Sequence, residues 1–326
     1  MEPAHDSPAI AADSLVKTYP PDVRALDGLS LEVPAATVFG LLGPNGAGKS
    51  TTVKVLTALA RPDAGSATVA GHDVLRQPDR VRRAIGVVGQ RSAVDRTATG
   101  RENLLFQGRL FGLSGGGLRR RVDELLGQLG LADAAGRIVA TWSGGMQRRL
   151  DVAIGLVHRP RVLFLDEPTT GLDPEARRAL WDEIRRLSAE GMTILLTTHY
   201  LDEADQLASS LAIVDAGRIV AQGSPDRLKA ELRGEAIHVD LATAEDAPRA
   251  ASLIDRLDGF EHPVLDRSRL SVRAERAAAS VPSVMAVLEG AGIGVAAVTV
   301  ARPSLDDVYF RHTGRSYQAQ LVETAR

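Results

Sequence analysis

Cysteine is absent from the chain. This excludes a disulfide framework, a thiolate nucleophile and cysteine-built zinc sites, and leaves the redox compartment open. Long apolar runs are absent as well. None approaches the roughly 18 residues that mark a membrane-crossing helix, so any membrane role must run through a partner. Residues 1–14 carry acids and prolines but no apolar h-region, so a secretory signal is not expected. Nor is charge of one sign in excess. The 39 Lys and Arg stand against 41 Asp and Glu, a net charge of −2, which gives no overall basic footprint for nucleic acid. What the chain does have is length: 326 residues suffice for two domains with a proper core.

It also has one stretch of high information, Gly43-Pro44-Asn45-Gly46-Ala47-Gly48-Lys49-Ser50, which fits G-x-x-x-x-G-K-[ST] at every fixed position. An apolar run over 37–42 leads in and reads as a buried strand. Thr51 to Leu59 reads as a helix, stopped by Arg61-Pro62. In that context the glycines let the loop wrap with its N–H groups inward, and the helix start adds partial positive charge. Lys49 would reach terminal phosphates and Ser50 would hold Mg²⁺. A glycine-rich turn with a stray lysine would not need this flanking pattern.

Upstream, residues 8–33 read as short strands, with Leu29, Leu31 and Val33 alternating as on a half-buried strand. Tyr19, before Pro20-Pro21, either stacks on a base or packs on the core. Downstream, 85–90 is a buried strand with Gln90 at its end, the position where ligands bind in α/β sheets. Gln90 is a candidate for Mg²⁺ or the attacking water, and equally an ordinary loop glutamine. Residues 97–140 turn helical. Leu118, Val122, Leu125, Leu126 and Leu129 share one helical face, with the intervening charges as the solvated face, and Ser114-Gly115-Gly116-Gly117 reads as a flexible turn between helices.

Ser143 then caps a helix running to about Val157, and Gly144-Gly145 free the backbone for a close approach, a second helix start suited to an anion. Val162-Leu163-Phe164-Leu165 ends in Asp166-Glu167. After a phosphate loop, such a strand delivers Asp166 to the Mg²⁺ shell and leaves Glu167 to polarise water. Asp173-Pro174 reads as N-cap and first residue of the next helix. The strand over 192–198 ends at His199, which can donate to a γ-phosphate. Gln90, Asp166 and His199 thus converge on one edge of a sheet.

The ordered set of phosphate loop, Gln90, Ser143-Gly144-Gly145, the 162–167 strand, Asp173 and His199 resembles the ATP-binding cassette (ABC) ATPases, the motor subunits of ABC transporters. The resemblance covers residues 8–225 and implies a P-loop α/β nucleotide-binding domain with a helical subdomain at about 91–157. It also implies the cofactors ATP and Mg²⁺. Gly43, Pro44, Asn45, Gly46, Ala47, Gly48, Lys49, Ser50 and Thr51 would hold the phosphates, with Tyr19 stacking on the base. Ser50, Gln90 and Asp166 would face the metal. Glu167, His199 and Gln90 would serve hydrolysis. Two copies would pair head to tail, each ATP being closed by Ser143, Gly144 and Gly145 of the partner, with Asp173, at the family's D-loop position, also among the nucleotide-binding residues. A separate multi-span permease would be driven from the cytoplasmic face of the membrane. The signature departs from Leu-Ser-Gly-Gly-Gln: Trp142 replaces Leu, and Met146 stands fifth with Gln147 after it. Either Met146 or Gln147 would meet the partner's nucleotide.

Residues 235–326 read as a small α/β module in β-α-β-(β)-α-β order, a ferredoxin-like arrangement, closing with a possible capping box at Ser304 and Asp307 and then Thr313-Gly314-Arg315. This tail and Trp142-Ser143-Gly144-Gly145-Met146 look like the daunorubicin-resistance type of drug-export ATPase, in which His199 is sometimes Gln. The expectation is an ATPase energising efflux of a drug-like small molecule. The competing readings are another P-loop phosphotransferase, which would not need Ser143-Gly144-Gly145, and a soluble ABC ATPase or nucleotide-dependent regulator acting on a non-membrane partner.

Overall fold

The computed structural model describes residues 7–232, 234–261, 263–314 and Tyr317. Residues 1–6, Arg315 and 318–326, on which parts of the sequence reading fall, lie outside these. The chain divides into two compact units at Ser224/Pro225.

In chain order the first unit contains β1 (Ile10–Tyr19), β2 (Val23–Val33), β3 (Val38–Leu42), α1 (Lys49–Leu56), β4 (Ala64–Val69), β5 (His72–Asp73), α2 (Pro78–Ala84) and β6 (Ile85–Val88). It continues with α3 (Gly100–Leu110), α4 (Gly115–Gln128), α5 (Gly144–Leu156), β7 (Val162–Asp166), α6 (Pro174–Ala189), β8 (Thr193–Thr198), α7 (Leu201–Leu207), β9 (Ser210–Asp215) and β10 (Arg218–Gly223). One sheet has the order β10-β9-β3-β8-β7-β6. Its strands run parallel except for β10, which pairs antiparallel with β9 at the edge. Parallel strands covered on both faces need apolar residues at every position, which is why β3 reads Val-Phe-Gly-Leu-Leu without alternation.

Side chains still leave alternate sides of such a sheet. Phe39, Leu41, Val162, Phe164, Leu195, Ala212 and Val214 enter a core shared with the antiparallel sheet β2-β1-β4-β5. Val38, Leu163, Leu165, Ile194 and Leu196 enter a different core with the helices. That second core includes Leu118, Val122, Leu125, Leu126 and Leu129, the apolar face expected from their spacing. The glycine run forms only the start of the expected turn, at Gly115 with φ 62°. Ser114 is the N-cap of α4 and the three glycines make its first turn. The reversal begins earlier, at Gly112, whose φ of 79° also suits glycine. Gly108 of α3 lets α4 come close, since a Cβ there would lie 2.3 Å from Leu118 Cδ1.

The second unit contains α8 (Pro225–Ala230), β11 (Glu235–Leu241), α9 (Ala247–Ile254), β12 (Val264–Asp266), β13 (Arg269–Ala274), α10 (Ala277–Gly290), β14 (Val295–Ala301) and α11 (Leu305–Thr313). Strands β12-β13-β11-β14 form an antiparallel sheet in the order of a split β-α-β fold, and the strand left in parentheses by the sequence is β12. The spacing of Leu253, Ile254 and Leu257 suggests one helix, but α9 ends at Ile254 and Leu257 lies outside it. Ile237, Val239, Leu270 and Val272 pack with Ile254, Val284 and Leu288 as this unit's own core. Both bonds of the capping box at Ser304 and Asp307 are present.

Candidate functional site

Strands β3, β7 and β8 are parallel neighbours, so their carboxyl ends, and the residues just after them, share one edge. After β3 the chain wraps through the phosphate loop. Gly48, with φ 110°, caps α1, and a Cβ there would lie 2.5 Å from Ala25 O; one on Gly43 would lie 2.4 Å from Val214 O. These two positions therefore admit only glycine. Asn45 and Gly46 are exposed, whereas Pro44, Ala47 and Lys49 are buried and Ser50 and Thr51 half-buried. The first backbone bond after the loop runs from Thr52 N–H to Gly48 O at 2.9 Å, so the N–H groups of Lys49, Ser50 and Thr51 stay open at the helix start. Lys49 Nζ donates to the carbonyls of Gly43 at 2.7 Å and Pro44 at 2.9 Å, and lies 3.7 Å from Glu167 Oε1. Burial pulls its pKa down, with Glu167 and Asp166 opposing.

Asp166 ends β7 with Oδ1 accepting from Thr197 Oγ1 at 2.5 Å and from Ser50 Oγ at 3.5 Å. A hydroxyl and a carboxylate this close fit a divalent cation that keeps waters and phosphate oxygens as its other ligands. Among the described residues no group of three or more His, Cys, Asp and Glu is placed to hold a metal ion. Gln90 is exposed beyond the end of β6 and its side chain bonds to none of the described residues.

Glu167 sits at φ 47°, a left-handed backbone that costs a non-glycine residue about 1–2 kcal/mol. Its N–H is held by Thr197 O at 3.1 Å and Thr197 Oγ1 at 3.0 Å. Its Oε2 lies 3.2 Å from His199 Nδ1, close but without the alignment of a hydrogen bond, and 3.4 Å from Thr170 Oγ1. Burial pushes the carboxyl up, but His199, Lys49 and Thr170 outweigh it and hold it below the ordinary carboxylate range. The group is thus an ionised base beside a lysine and an imidazole.

Ser143 caps α5, accepting from Met146 N at 3.3 Å. The first backbone bond of this helix is Gln147 N–H to Ser143 O, which leaves the N–H groups of Gly144 and Gly145 open. Ser143 and Gly144 are exposed. Gly145 makes its close approach within the chain: a Cβ there would lie 2.8 Å from Ala176 Cβ of α6. The glycine pair thus has one open and one packed member, which the sequence could not separate. Gln147 turns back, donating to Trp142 O at 3.0 Å, while Met146 packs on the helical core. Trp142 is buried and accommodated by Gly100, where a Cβ would lie 2.3 Å from the indole ring. Asp173 caps α6, accepting from Ala176 N at 2.8 Å. Tyr19 is half-exposed at the end of β1, with Lys17 Nζ 5.5 Å from its ring centre.

Residues 26–170 match the family model for the ABC transporter. The chain is 47% identical over 322 residues, 98% of its length and 100% of the relative's, to the daunorubicin resistance ATP-binding protein DrrA2 of Streptomyces coeruleorubidus. The chain belongs to the ABC transporter ATP-binding proteins. Another member, the daunorubicin/doxorubicin resistance ATP-binding protein DrrA of Streptomyces peucetius, is 45% identical over 97% of this chain and 96% of its own. Among solved structures, cbiO1 from Clostridium perfringens, part of an ABC transporter complex, aligns with a TM-score of 0.65 and 27% identity, covering 69% of this chain and 92% of that one. This ABC protein is accordingly a nucleotide-binding ATPase, similar over nearly its whole length to relatives named for daunorubicin resistance. Among the described residues no helix is long and apolar enough to cross a membrane.

Proposed function

We propose that the chain energises efflux of a drug-like small molecule through a separate membrane permease, from the cytoplasmic face. The observation that carries this is the single edge at which the phosphate loop, Asp166, Glu167 and His199 meet, in a chain alike over nearly its whole length to daunorubicin resistance ATP-binding proteins. In this reading the nucleotide-binding domain spans 8–225, with a helical subdomain at about 91–157, and 235–326 is the accessory domain of the drug-export type.

The roles follow from position. Lys49 exchanges its two carbonyl partners for phosphate oxygens, and the open N–H groups of α1 add to the cradle. Ser50 and Asp166 would hold Mg²⁺, with Gln90 as a third candidate from its exposed loop, and a bound ion would supply neutralisation of charge on the phosphates. Glu167 accepts the proton of the attacking water, and His199 donates toward the γ-phosphate. Tyr19 stacks on the base. Among the described residues no hydrogen bond joins Ser143, Gly144 or Gly145 to the Lys49 loop, which favours their service in trans. Two copies would then close head to tail over two ATPs, with Asp173 between the sites, because the anions fill a gap between electropositive helix starts. Of the two signature candidates, both half-buried, Met146 packs on the helical core and Gln147 donates to Trp142 O and Val139 O, so either would have to turn outward to meet the partner's nucleotide.

The test is co-purification. A tagged Glu167→Gln chain, with ATP and Mg²⁺, is drawn from its native membrane in mild detergent and its companions are identified by mass spectrometry. A stoichiometric multi-span protein is expected. Recovery of the tagged chain alone, or of ribosomal or DNA-bound material, would overturn the transporter reading.

A further inference from the structure

The chemistry above leaves unused an ion pair buried behind it. Arg148 and Asp151 lie about one turn apart on α5, 9% and 5% exposed, with Nη1 and Oδ2 3.8 Å apart. That is too long for the two to satisfy each other. Arg148 gives its donors to backbone carbonyls instead: Nε to Pro168 at 2.7 Å, Nη1 to Gly89 at 2.8 Å, and Nη2 to Asp166 and Glu167 at 3.4 Å each. Asp151 Oδ1 accepts from Ser92 Oγ and Ala93 N, both at 3.0 Å. Gln90 therefore hangs in a loop held on one side by Arg148 and on the other by Asp151. The same guanidinium lies on the backbone of the turn in which Glu167 adopts φ 47°.

A buried ion pair is weak evidence for stability, since an apolar pair of similar volume serves a core as well or better. What an apolar pair cannot supply is a planar fork of five donors, able to fix several carbonyls in one geometry. Here the carbonyls belong to the Gln90 loop and the Glu167 turn, and the fork belongs to the helix that starts at Ser143-Gly144-Gly145.

We propose that Arg148 and Asp151 are positioning residues for hydrolysis: they tie the Gln90 loop and the Glu167 turn to α5, so that where the Ser143 end of that helix sits sets where the Glu167 carboxylate sits. The proposal rests on the reading of Glu167 as the base that activates water. Placement of a base governs turnover more than nucleotide affinity, because the affinity comes from Lys49 and the loop N–H groups.

The experiment uses the purified full chain carrying Arg148→Lys or Asp151→Asn, each alone and combined with Glu167→Gln. Mg-ATP turnover, affinity for a fluorescent ATP analogue and melting temperature are measured together. A lysine keeps the charge but loses the fork. Arg148→Lys is expected to lower kcat by about 10- to 100-fold, the range a misplaced catalytic group produces, with KM and analogue affinity nearly unchanged. In the Glu167→Gln background, single-turnover hydrolysis should fall no further, since both changes act through one group. Wild-type kcat in both single variants would overturn the proposal. So would a parallel loss of affinity and melting temperature, which a merely structural pair would give, or a further full loss on top of Glu167→Gln. If Glu167→Gln itself turns over at the wild-type rate, the reading of Glu167 fails; if it is slow and Arg148→Lys is fast, only the positioning role fails. Should Arg148→Lys not fold, Ser92→Ala removes one donor to Asp151 from an exposed residue, and the same split, a lower kcat at unchanged affinity, is expected.

Discussion

Lys49 is held by its own loop, with its ammonium on the carbonyls of Gly43 and Pro44. Its charge is already desolvated, so phosphate replaces carbonyls rather than bulk water. Lys49→Ala is expected to weaken ATP binding by about 100-fold or more, the order of a charge-assisted bond in a partly dry site, as calorimetry would read. Unchanged affinity would remove the lysine from the site. A second residue, Glu203 on α7, is fully buried and accepts from Trp181 Nε1 at 3.1 Å. Burial pushes its carboxyl up, offset in part by the hydroxyls of Thr198 and Thr169 and by the indole. A carboxyl raised in the folded state costs nothing below its unfolded pKa. It costs progressively more as pH rises toward the folded value, and a constant amount above it. Glu203→Gln keeps the acceptor for Trp181 without the charge. Its melting temperature relative to wild type should therefore rise from about pH 4 upward, where an unfolded glutamate ionises. A gap that stays flat with pH would mean that Glu203 titrates as in the unfolded chain.

At the scale of elements, what was legible followed from local rules. Strand, glycine loop and helix mark the proposed phosphate cradle in the sequence, and polar residues ending apolar runs mark Asp166, Glu167 and His199, which share one edge because parallel neighbours finish there. Arg148 and Asp151 were illegible because charges on a helix ordinarily face water. Their only signal was opposite charge three residues apart in a helix otherwise apolar at Leu150, Val152, Ala153 and Ile154. Gly145 was half legible: its need for space shows in the sequence, but not that the space is filled by Ala176, far along the chain. The glycine run after Ser114 was half legible: Gly115 keeps a left-handed φ of 62° as a turn residue would, whereas the apolar face that begins at Leu118 draws Gly116 and Gly117 into α4. Gly145→Ala is expected to cost about 1–3 kcal/mol by overpacking against Ala176, and Ala176→Gly to restore most of it. Gly144 has open space where a Cβ would stand, so Gly144→Ala should leave the melting temperature almost untouched. Equal destabilisation by the two alanines would show that packing is not what separates them.

At the scale of the whole molecule, each unit has its own core, and a cut in either should be felt there first. Leu270 is fully buried in the second unit among Ile237, Val239 and Ile254. Leu270→Ala is expected to cost about 2–5 kcal/mol, seen as faster amide exchange in β11, β13 and β14. Exchange unchanged in those strands would contradict the core assignment. In the first unit the parallel sheet is a partition. Phe39, Leu41, Phe164 and Leu195 belong to the side shared with the antiparallel sheet, and Val38, Leu163, Leu165 and Leu196 to the helical side. A change of volume on one side is absorbed by neighbours that do not line the other. The sheet therefore divides the unit into two compartments, so that a substitution in the helical one meets a different set of neighbours from a substitution in the other.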